Sequence, residues 1–214
     1  MSIPETAPRY AISHYPTTLI DVWRNPRGEQ FVLRPILPQD KPLLQDFHAA
    51  LSPRSRRFRF HGAVNGLSTQ ALAYLSEVDP SKHLALVVTY VDEGVETIVA
   101  DARYVVDETG RGGEFAIAVA DLWQRRGIAS RALDGLCKAA RLDGLDWLWG
   151  EVLEDNDAML ALMSRCGFCR STQGADGIVR VERRVARPAA RQPAPRRGVL
   201  AALAQRLFAG SSYA

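Results

Sequence analysis

The chain lacks the features that define several protein classes. It has three cysteines among 214 residues, an odd number that argues against a disulfide scaffold. No apolar run approaches the roughly 20 residues that a membrane-spanning helix requires. The four histidines are scattered without the spacing of metal ligands. We therefore expect no membrane span and no metal cofactor.

The N-terminus does not have the pattern of a secretory signal. Residues 1–5 have no basic region, and no apolar run follows them. With the low cysteine content, this favours a cytoplasmic protein in a reducing setting. Cys166 and Cys169 have a C-x-x-C spacing that would suit a redox or zinc pair, but no second pair accompanies them. Cys137 falls on an apolar helix stripe, where buried structural cysteines occur.

Positive charge is concentrated towards the C-terminus. The net charge is +3, yet from Gly177 onward the chain has eight arginines and one acid, Glu182. Residues 186–198 are typical of an extended Pro/Ala/Arg linker, and residues 199–208 of a short amphipathic helix. Because the basic stretch is short and lacks interleaved aromatics, docking on the domain or on a second copy, as in a homodimer, is favoured over contact with nucleic acid or an anionic membrane.

The most informative stretch is residues 124–129, which read QRRGIA. They follow an apolar run at 115–120 that predicts a strand. They open a segment, about Ile128 to Leu142, whose apolar positions recur with the helical period. A strand, a glycine-bearing turn and a helix N-terminus leave N–H groups unpaired, and the helix dipole favours a phosphate there. The stretch therefore predicts a pyrophosphate cradle.

Three phosphate-binding patterns compete for this stretch. A Walker loop needs a lysine after its second glycine, and none follows Gly127. A dinucleotide fold needs G-x-G-x-x-G, and only Gly127 lies in the turn. The remaining pattern, [QR]-x-x-G-x-[GA], resembles the acetyl-coenzyme A loop of the GNAT N-acetyltransferase superfamily. An ordinary strand-to-helix connection is the alternative for a motif of this length.

A second motif follows at the spacing of that family. Residues 147–152 predict a short strand, and Asn156 caps a helix around 158–163 that ends at Gly167. This segment resembles the family's motif B, in which an Asn and the helix after it line the pantetheine arm of coenzyme A.

The upstream elements extend the resemblance. Strands are predicted at 31–36, 84–91 and 95–106, with a helix that starts near Pro38 and a final strand that runs towards Val185. This order is that of the GNAT fold, an α/β (α+β) architecture with a mixed, mostly antiparallel sheet, a splayed fourth strand and flanking helices. The expected division is an N-terminal extension with the first strand of a hairpin (1–30), the GNAT domain (31–185) and the basic linker with its helix (186–214).

A narrower resemblance points to the catalytic domain of bacterial Pat-type protein-lysine acetyltransferases. It rests on Arg103-Tyr104, on the hairpin before residue 36 and on residues 51–60, which resemble that group's "LSpeSrylRF" segment. It rests also on residues 114–116, 123–127, 150–153 and 156–159. The resemblance implies acetyl-coenzyme A as cosubstrate, no metal, and an amine acceptor, preferably a protein lysine. Small amines or antibiotics, and a non-catalytic acyl-coenzyme A sensor, are the alternatives.

Chemistry and resemblance together suggest site residues. A lysine amine with a pKa near 10.4 needs a base, and the developing oxyanion needs donors. Glu114 is the candidate base, because apolar neighbours would partly bury it, with a solvated carboxylate as the alternative. The N–H of Val119 is the candidate oxyanion donor. The coenzyme-binding residues implied by the resemblance are Ile117, Ala118, Val119, Gln124, Arg125, Arg126, Gly127, Ile128, Ala129, Ser130 and Asn156.

One position departs from the family pattern. Many members have a tyrosine four residues before the motif B glycine, as general acid for the coenzyme A thiolate. Met163 stands there in this chain. Tyr104, Ser164 or water could take the acid role, and a thiol with a pKa near 8.5 leaves readily without help. We look for the acceptor site in residues 52–66 and in the tail.

Overall fold

A computed structural model describes residues 15–62, 66–79, 82–173 and 177–185. The predicted linker and tail helix lie outside the described residues. In the described ranges, no helix combines the length and the apolar character needed to cross a membrane.

Eight strands form one sheet in the order β1-β2-β3-β4-β5-β6-β8-β7. All neighbouring strands are antiparallel except β5 and β6, which are parallel. The elements follow along the chain as β1 (Asp21–Arg24), β2 (Gln30–Pro35), α1 (Lys41–Ala50), α2 (Pro53–Phe60), α3 (Thr69–Ser76), β3 (His83–Asp92), β4 (Val95–Val106), β5 (Gly112–Val119), α4 (Ile128–Leu142), β6 (Trp147–Leu153), α5 (Asp157–Arg165), β7 (Cys169–Gln173) and β8 (Ile178–Arg184).

Two apolar cores lie on opposite faces of the sheet. The larger core contains the buried stripe of α4, Met163 from α5, and strand residues such as Leu33 and Leu148. The smaller core packs α1 and α3 against the other face. At Gly135, a Cβ would lie 2.6 Å from the Leu33 side chain, so α4 approaches the sheet more closely there than a larger residue would allow.

Helix α4 has the predicted bounds, Ile128–Leu142. Its apolar stripe is long enough to define both ends, and Gly144 follows it at φ +75°. The chain after α5 differs from the prediction, because two strands, β7 and β8, stand where one was expected. β7 is a five-residue strand that pairs only with β8 among the described strands, and a run this short gives little periodicity in the sequence.

The strand that ends at Val119 splays, as the resemblance implied. It is β5 here, because the N-terminal hairpin adds β1 to the sheet. β5 pairs with β6 only at Gly112, Gly113 and Glu114, although it continues to Val119. The edge of β5 that faces β6 is therefore open beyond Glu114.

Candidate functional site: a cavity at the splayed strands

A cavity of about 760 Å³ opens where β5 and β6 diverge. Its walls come from α2, β5, the loop before α4, the first turn of α4, β6 and α5. Every site residue predicted from the sequence lines it except Arg126: Glu114, Ile117, Ala118, Val119, Gln124, Arg125, Gly127, Ile128, Ala129, Ser130 and Asn156. Residues from four separate elements therefore meet in one space.

At one end of the cavity lies the N-terminus of α4. Arg125 and Gly127 both have left-handed backbones, with φ 61° and φ +81°, and turn the chain into the helix. The first helical hydrogen bond runs from Arg131 N to Gly127 O, so the first-turn N–H groups have no partner within the helix. A Cβ at Gly127 would meet nothing within 4 Å. The missing side chain thus leaves the backbone open to a ligand.

The open edge of β5 offers main-chain groups to the same cavity. The carbonyl of Val119 accepts a hydrogen bond from Gln124 Nε2 at 3.2 Å, while the next N–H, that of Ala120, donates to Val99 on β4. Since the N–H and C=O of one strand residue point to the same side, the Val119 N–H faces away from β4. It therefore points to the side of the strand where the cavity lies.

Arg126 has a different position from the one expected. Its Nη1 donates to both carboxylate oxygens of Glu29, at 2.7 and 2.9 Å, and its guanidinium lies 4.6 Å from the Trp123 ring centroid. Its side chain is held by the turn between β1 and β2. Arg131 in the first turn of α4 pairs with Asp21 at 2.7 Å and lies over Trp23.

Glu114 lies at the other end of the cavity. It is 3% exposed, so it is a buried carboxylate and not the solvated one of the alternative interpretation. Burial lowers the pKa of Arg59 of α2 and of Arg180 of β8, and the negative charge of Glu114 partly opposes this. Burial raises the pKa of Tyr74 of α3, and Glu114 adds to that rise. Glu114 lies opposite Trp149 in the β5–β6 pairing. Glu114 is thus held at the point where the two strands separate.

Helix α2 connects the two ends of the cavity. It was not predicted from the sequence. At its start, Ser52 and Ser55 donate to the carboxylate of Asp121 in the loop before α4. Further along, Arg57 pairs with Asp155 between β6 and α5 at 2.7 Å. The Ser52 cap and Pro53 at the first turn were the available sequence signals.

Behind Glu114 lies a buried polar cluster. The carboxylate of Asp101 accepts from Arg103 at 2.6 Å, and Arg103 Nη1 donates to Leu75 O and lies 3.3 Å from His83 Nε2. His48 Nε2 and Arg59 Nη2 lie 3.6 and 3.8 Å from the same carboxylate. Burial raises the pKa of Asp101, but the positive charge of Arg103, together with the nearby His48 and Arg59, outweighs it and holds the pKa well below its ordinary value. No local sequence signal marked this cluster.

The candidates for the acid role lie away from the cavity. Met163 is 1% exposed in the larger core. Tyr104 is also buried and donates its hydroxyl hydrogen to Asp143, and burial together with this carboxylate raises its pKa. Ser164 is exposed. None of the three is among the residues that line the cavity.

Metal and redox sites find no support among the residues that the structure describes. No group of three or more His, Cys, Asp or Glu side chains there could hold a metal ion. The three cysteines are free, and burial raises the pKa of the Cys137 thiol. Cys169 is exposed.

Comparison with known proteins gives a consistent result. The family model described as "Acetyltransferase (GNAT) family" matches residues 54–168. "Acetyltransferase Pat" of Mycolicibacterium smegmatis is 34% identical over 141 residues, which are 65% of this chain and 41% of that protein. "Acetyltransferase PA5475" of Pseudomonas aeruginosa is 28% identical over 141 residues, which are 66% of this chain and 76% of that protein. The match to the first relative thus spans less than half of its length.

A solved structure matches more of the chain. The crystal structure of the GNAT domain of S. lividans PAT has a TM-score of 0.73 and 26% identity, and the match covers 80% of this chain and 99% of that one. The similarity therefore extends well beyond the segment matched by the family model.

Proposed function

Because the chain belongs to the GNAT acetyltransferase family, we propose that it transfers the acetyl group of acetyl-coenzyme A to an amine, preferably the side chain of a protein lysine. One observation carries the proposal: the N-terminus of α4, the open edge of β5 and the buried Glu114 line a single cavity. The lysine acceptor rests on the similarity to the two Pat proteins.

The cavity suits the coenzyme from end to end. The pyrophosphate would lie on the N–H groups at residues 126–130, where the helix dipole favours an anion. Main-chain groups of Ile117, Ala118 and Val119 would hold the pantetheine arm, with Asn156 on the opposite wall. The Asn156 side chain caps α5 through Met159 N at 3.2 Å, which fixes its position. The thioester would then reach the region between Val119 and Glu114.

The proposed reaction is direct attack in a ternary complex. Glu114 accepts a proton from the acceptor ammonium, directly or through water, and leaves a neutral amine. The amine nitrogen attacks the thioester carbon, and the Val119 N–H donates to the oxygen that becomes negative. When the C–S bond breaks, the nitrogen gives up its remaining excess proton to water, and the coenzyme A thiolate leaves and takes a proton from water, so that the products are the neutral amide and the free thiol. This route needs no protein group in the role of the missing tyrosine.

Calorimetric titration of acetyl-coenzyme A and coenzyme A tests the cofactor site. Gly127→Glu and Gly127→Gln both impose a side chain at φ +81°, but only the first adds negative charge. We expect wild type to bind, and Gly127→Glu to bind about ten-fold more weakly than Gly127→Gln. Absence of binding by the wild type would refute the proposal, whereas equal loss in both variants would place the pyrophosphate elsewhere.

A non-catalytic acyl-coenzyme A sensor is the second candidate. It is favoured by the positions of Met163, Tyr104 and Ser164, since none of them can act as the acid in this cavity. A sensor would bind the coenzyme but acetylate no amine in a broad screen of peptides and small amines. Turnover that requires Glu114 would exclude it.

A further inference from the structure

Arg59 is a buried cation with a donor atom that has no hydrogen-bond partner in the described part of the chain. Its side chain is 5% exposed, and its Nε has no hydrogen-bond partner within the described part of the chain. Asp101 Oδ2 is 3.8 Å from Arg59 Nη2, beyond hydrogen-bond distance. That carboxylate is already held by Arg103 at 2.6 Å. The other contact of Arg59 is with the Phe60 ring, at 5.0 Å from the centroid.

Such an arrangement is costly unless a further partner arrives. A buried donor without an acceptor loses its hydration and gains nothing in return, and the loss is larger for a charged group. Burial lowers the pKa of Arg59 to about 10, so the guanidinium stays charged at neutral pH. Because Arg59 also lines the cavity, a bound ligand could supply the missing acceptor.

The position of Arg59 along α2 indicates which part of the ligand it meets. Ser55 lies one helical turn earlier and contacts the loop before α4, through Asp121 at 2.8 Å. Arg59 is four residues further on, or about 6 Å along the helix axis, away from the pyrophosphate cradle. Glu114 acts electrostatically on it. Arg59 therefore belongs to the catalytic end of the cavity and not to the phosphate end.

Other basic side chains line the same cavity outside the cradle. Arg54 and Arg165 are exposed and border it, as does His61, whose backbone has φ 56° and whose Nδ1 is buried without a hydrogen-bond partner in the described ranges. Burial and the charges of Arg59 and Arg57 lower the pKa of His61. Glu114 and Glu151 are the acids on this side. Arg59 and Arg165 thus supply positive charge that an anionic neighbour of the acceptor amine would meet.

We propose that Arg59 is a specificity-determining residue that binds a carboxylate next to the acceptor amine. The inference rests on the proposed acetyltransferase function and narrows its acceptor class to amines with a nearby carboxylate. An acidic side chain beside a protein lysine would provide this group, and so would the carboxylate of a free amino acid. The planar guanidinium can bind either carboxylate through two parallel hydrogen bonds.

Matched peptides test the inference directly. Two peptides differ only in having Glu or Gln beside one lysine, and free lysine and its amide form a second pair. For wild type we expect kcat/KM to favour the carboxylate member of a pair about ten-fold, as one charge-assisted hydrogen bond would give. Preference in the peptide pair alone identifies an acidic side chain as the source. Preference in the lysine pair alone identifies the free amino acid.

Variants assign the preference to Arg59. Arg59→Gln should abolish it and Arg59→Lys should retain part of it, because charge remains but the planar fork is lost. The control, Arg24→Gln, changes an exposed arginine of β1 and should leave the preference intact. Coenzyme A affinity is measured for every variant as a test of folding and of the cofactor site.

The outcomes separate this inference from the proposed function. If wild type acetylates both members of each pair equally, the inference is wrong, whatever the variants do. An undiminished preference in folded Arg59→Gln also overturns it. A loss of activity in Arg59→Gln that is equal for all acceptors overturns it too, because Arg59 would then act on the thioester and not on the acceptor. If no amine is acetylated although coenzyme A binds, the proposed function itself fails.

Discussion

Arg126 and Glu29 form an ion pair that joins two segments 97 residues apart in the sequence. Glu29 is oriented in turn by Asn25, whose Nδ2 donates to it at 2.5 Å and whose Oδ1 accepts from the Glu29 N–H. The turn of the N-terminal hairpin thereby holds the residue immediately before Gly127. The sequence suggests Arg126 as a phosphate ligand, but its side chain instead ties the loop before α4 to the hairpin.

Replacing Glu29 should weaken coenzyme binding without changing the chemistry. In Glu29→Gln the charged partner of Arg126 is lost, so the loop at Arg125 and Gly127 samples other conformations. We expect the dissociation constant of coenzyme A to rise about two- to five-fold, the range typical of a partly exposed ion pair. Asp21→Asn is the matched control, because it removes the ion pair that the N-terminal hairpin makes with Arg131 in the first turn of α4. Equal effects of both substitutions would contradict a specific role for Glu29.

Glu114→Gln should separate catalysis from binding. The amide keeps the size of the side chain but cannot accept the ammonium proton, so we expect kcat to fall about 10²- to 10⁴-fold. The affinity for coenzyme A should stay within about two-fold of wild type, since the cradle is at the other end of the cavity. Glu151→Gln, which also lines the cavity, is the control. A Glu114 variant with near-normal kcat would remove Glu114 from the mechanism.

Tyr104→Phe should affect stability and leave turnover unchanged. The hydroxyl group of this buried residue is engaged by Asp143, and it lies outside the cavity. Loss of one hydrogen bond should lower the free energy of unfolding by about 1 kcal/mol. Urea unfolding and steady-state kinetics measure the two effects. A drop in kcat of ten-fold or more, with no loss of stability, would make Tyr104 the missing acid after all.

The buried histidines should make stability fall on acidification. Burial, with the positive charge of Arg103, lowers the pKa of His83 from 6.5 to about 3, while Asp101 and Asp79 oppose this and Arg59 adds to it. The pKa of His83 is lower in the folded state than in the unfolded state. Between about pH 3 and pH 6.5, the unfolded chain therefore binds a proton at His83 that the folded chain does not. The contribution of neutral His83 to the free energy of unfolding is therefore complete above about pH 6.5 and is lost as the pH falls towards 3.

His83→Gln isolates this contribution. Between about pH 5 and pH 6, wild type should lose up to about 1.4 kcal/mol per pH unit through His83. The pKa of His48 is lowered too, so the variant should keep a shallower slope. Urea unfolding at several pH values measures both slopes. If the free energy of unfolding depended on pH in the same way in wild type and in His83→Gln, the pKa of His83 would be the same in the folded and unfolded states.

The sequence determined the elements whose signals are local. The apolar stripe fixed α4 at Ile128–Leu142, and the glycine before it marked the cradle. Motif spacing and the strand order then identified the fold, and with it eleven of the residues that line the cavity. Partial burial of Glu114 was also predicted, because the residues that follow it in β5 are apolar.

The tertiary structure decided which arginines face a ligand. The sequence gives the charge of an arginine and its position on a helix, but it does not give the residue it pairs with. The partners of Arg126 and Arg59, Glu29 and Asp101, come from distant parts of the chain. For the same reason α2 went unrecognised: it has four arginines in eight residues, and long-range contacts with Asp121 and Asp155 hold it. The Arg126 side chain thus pairs with Glu29 and does not line the cavity, whereas the Arg59 side chain, which the sequence did not single out, does line it.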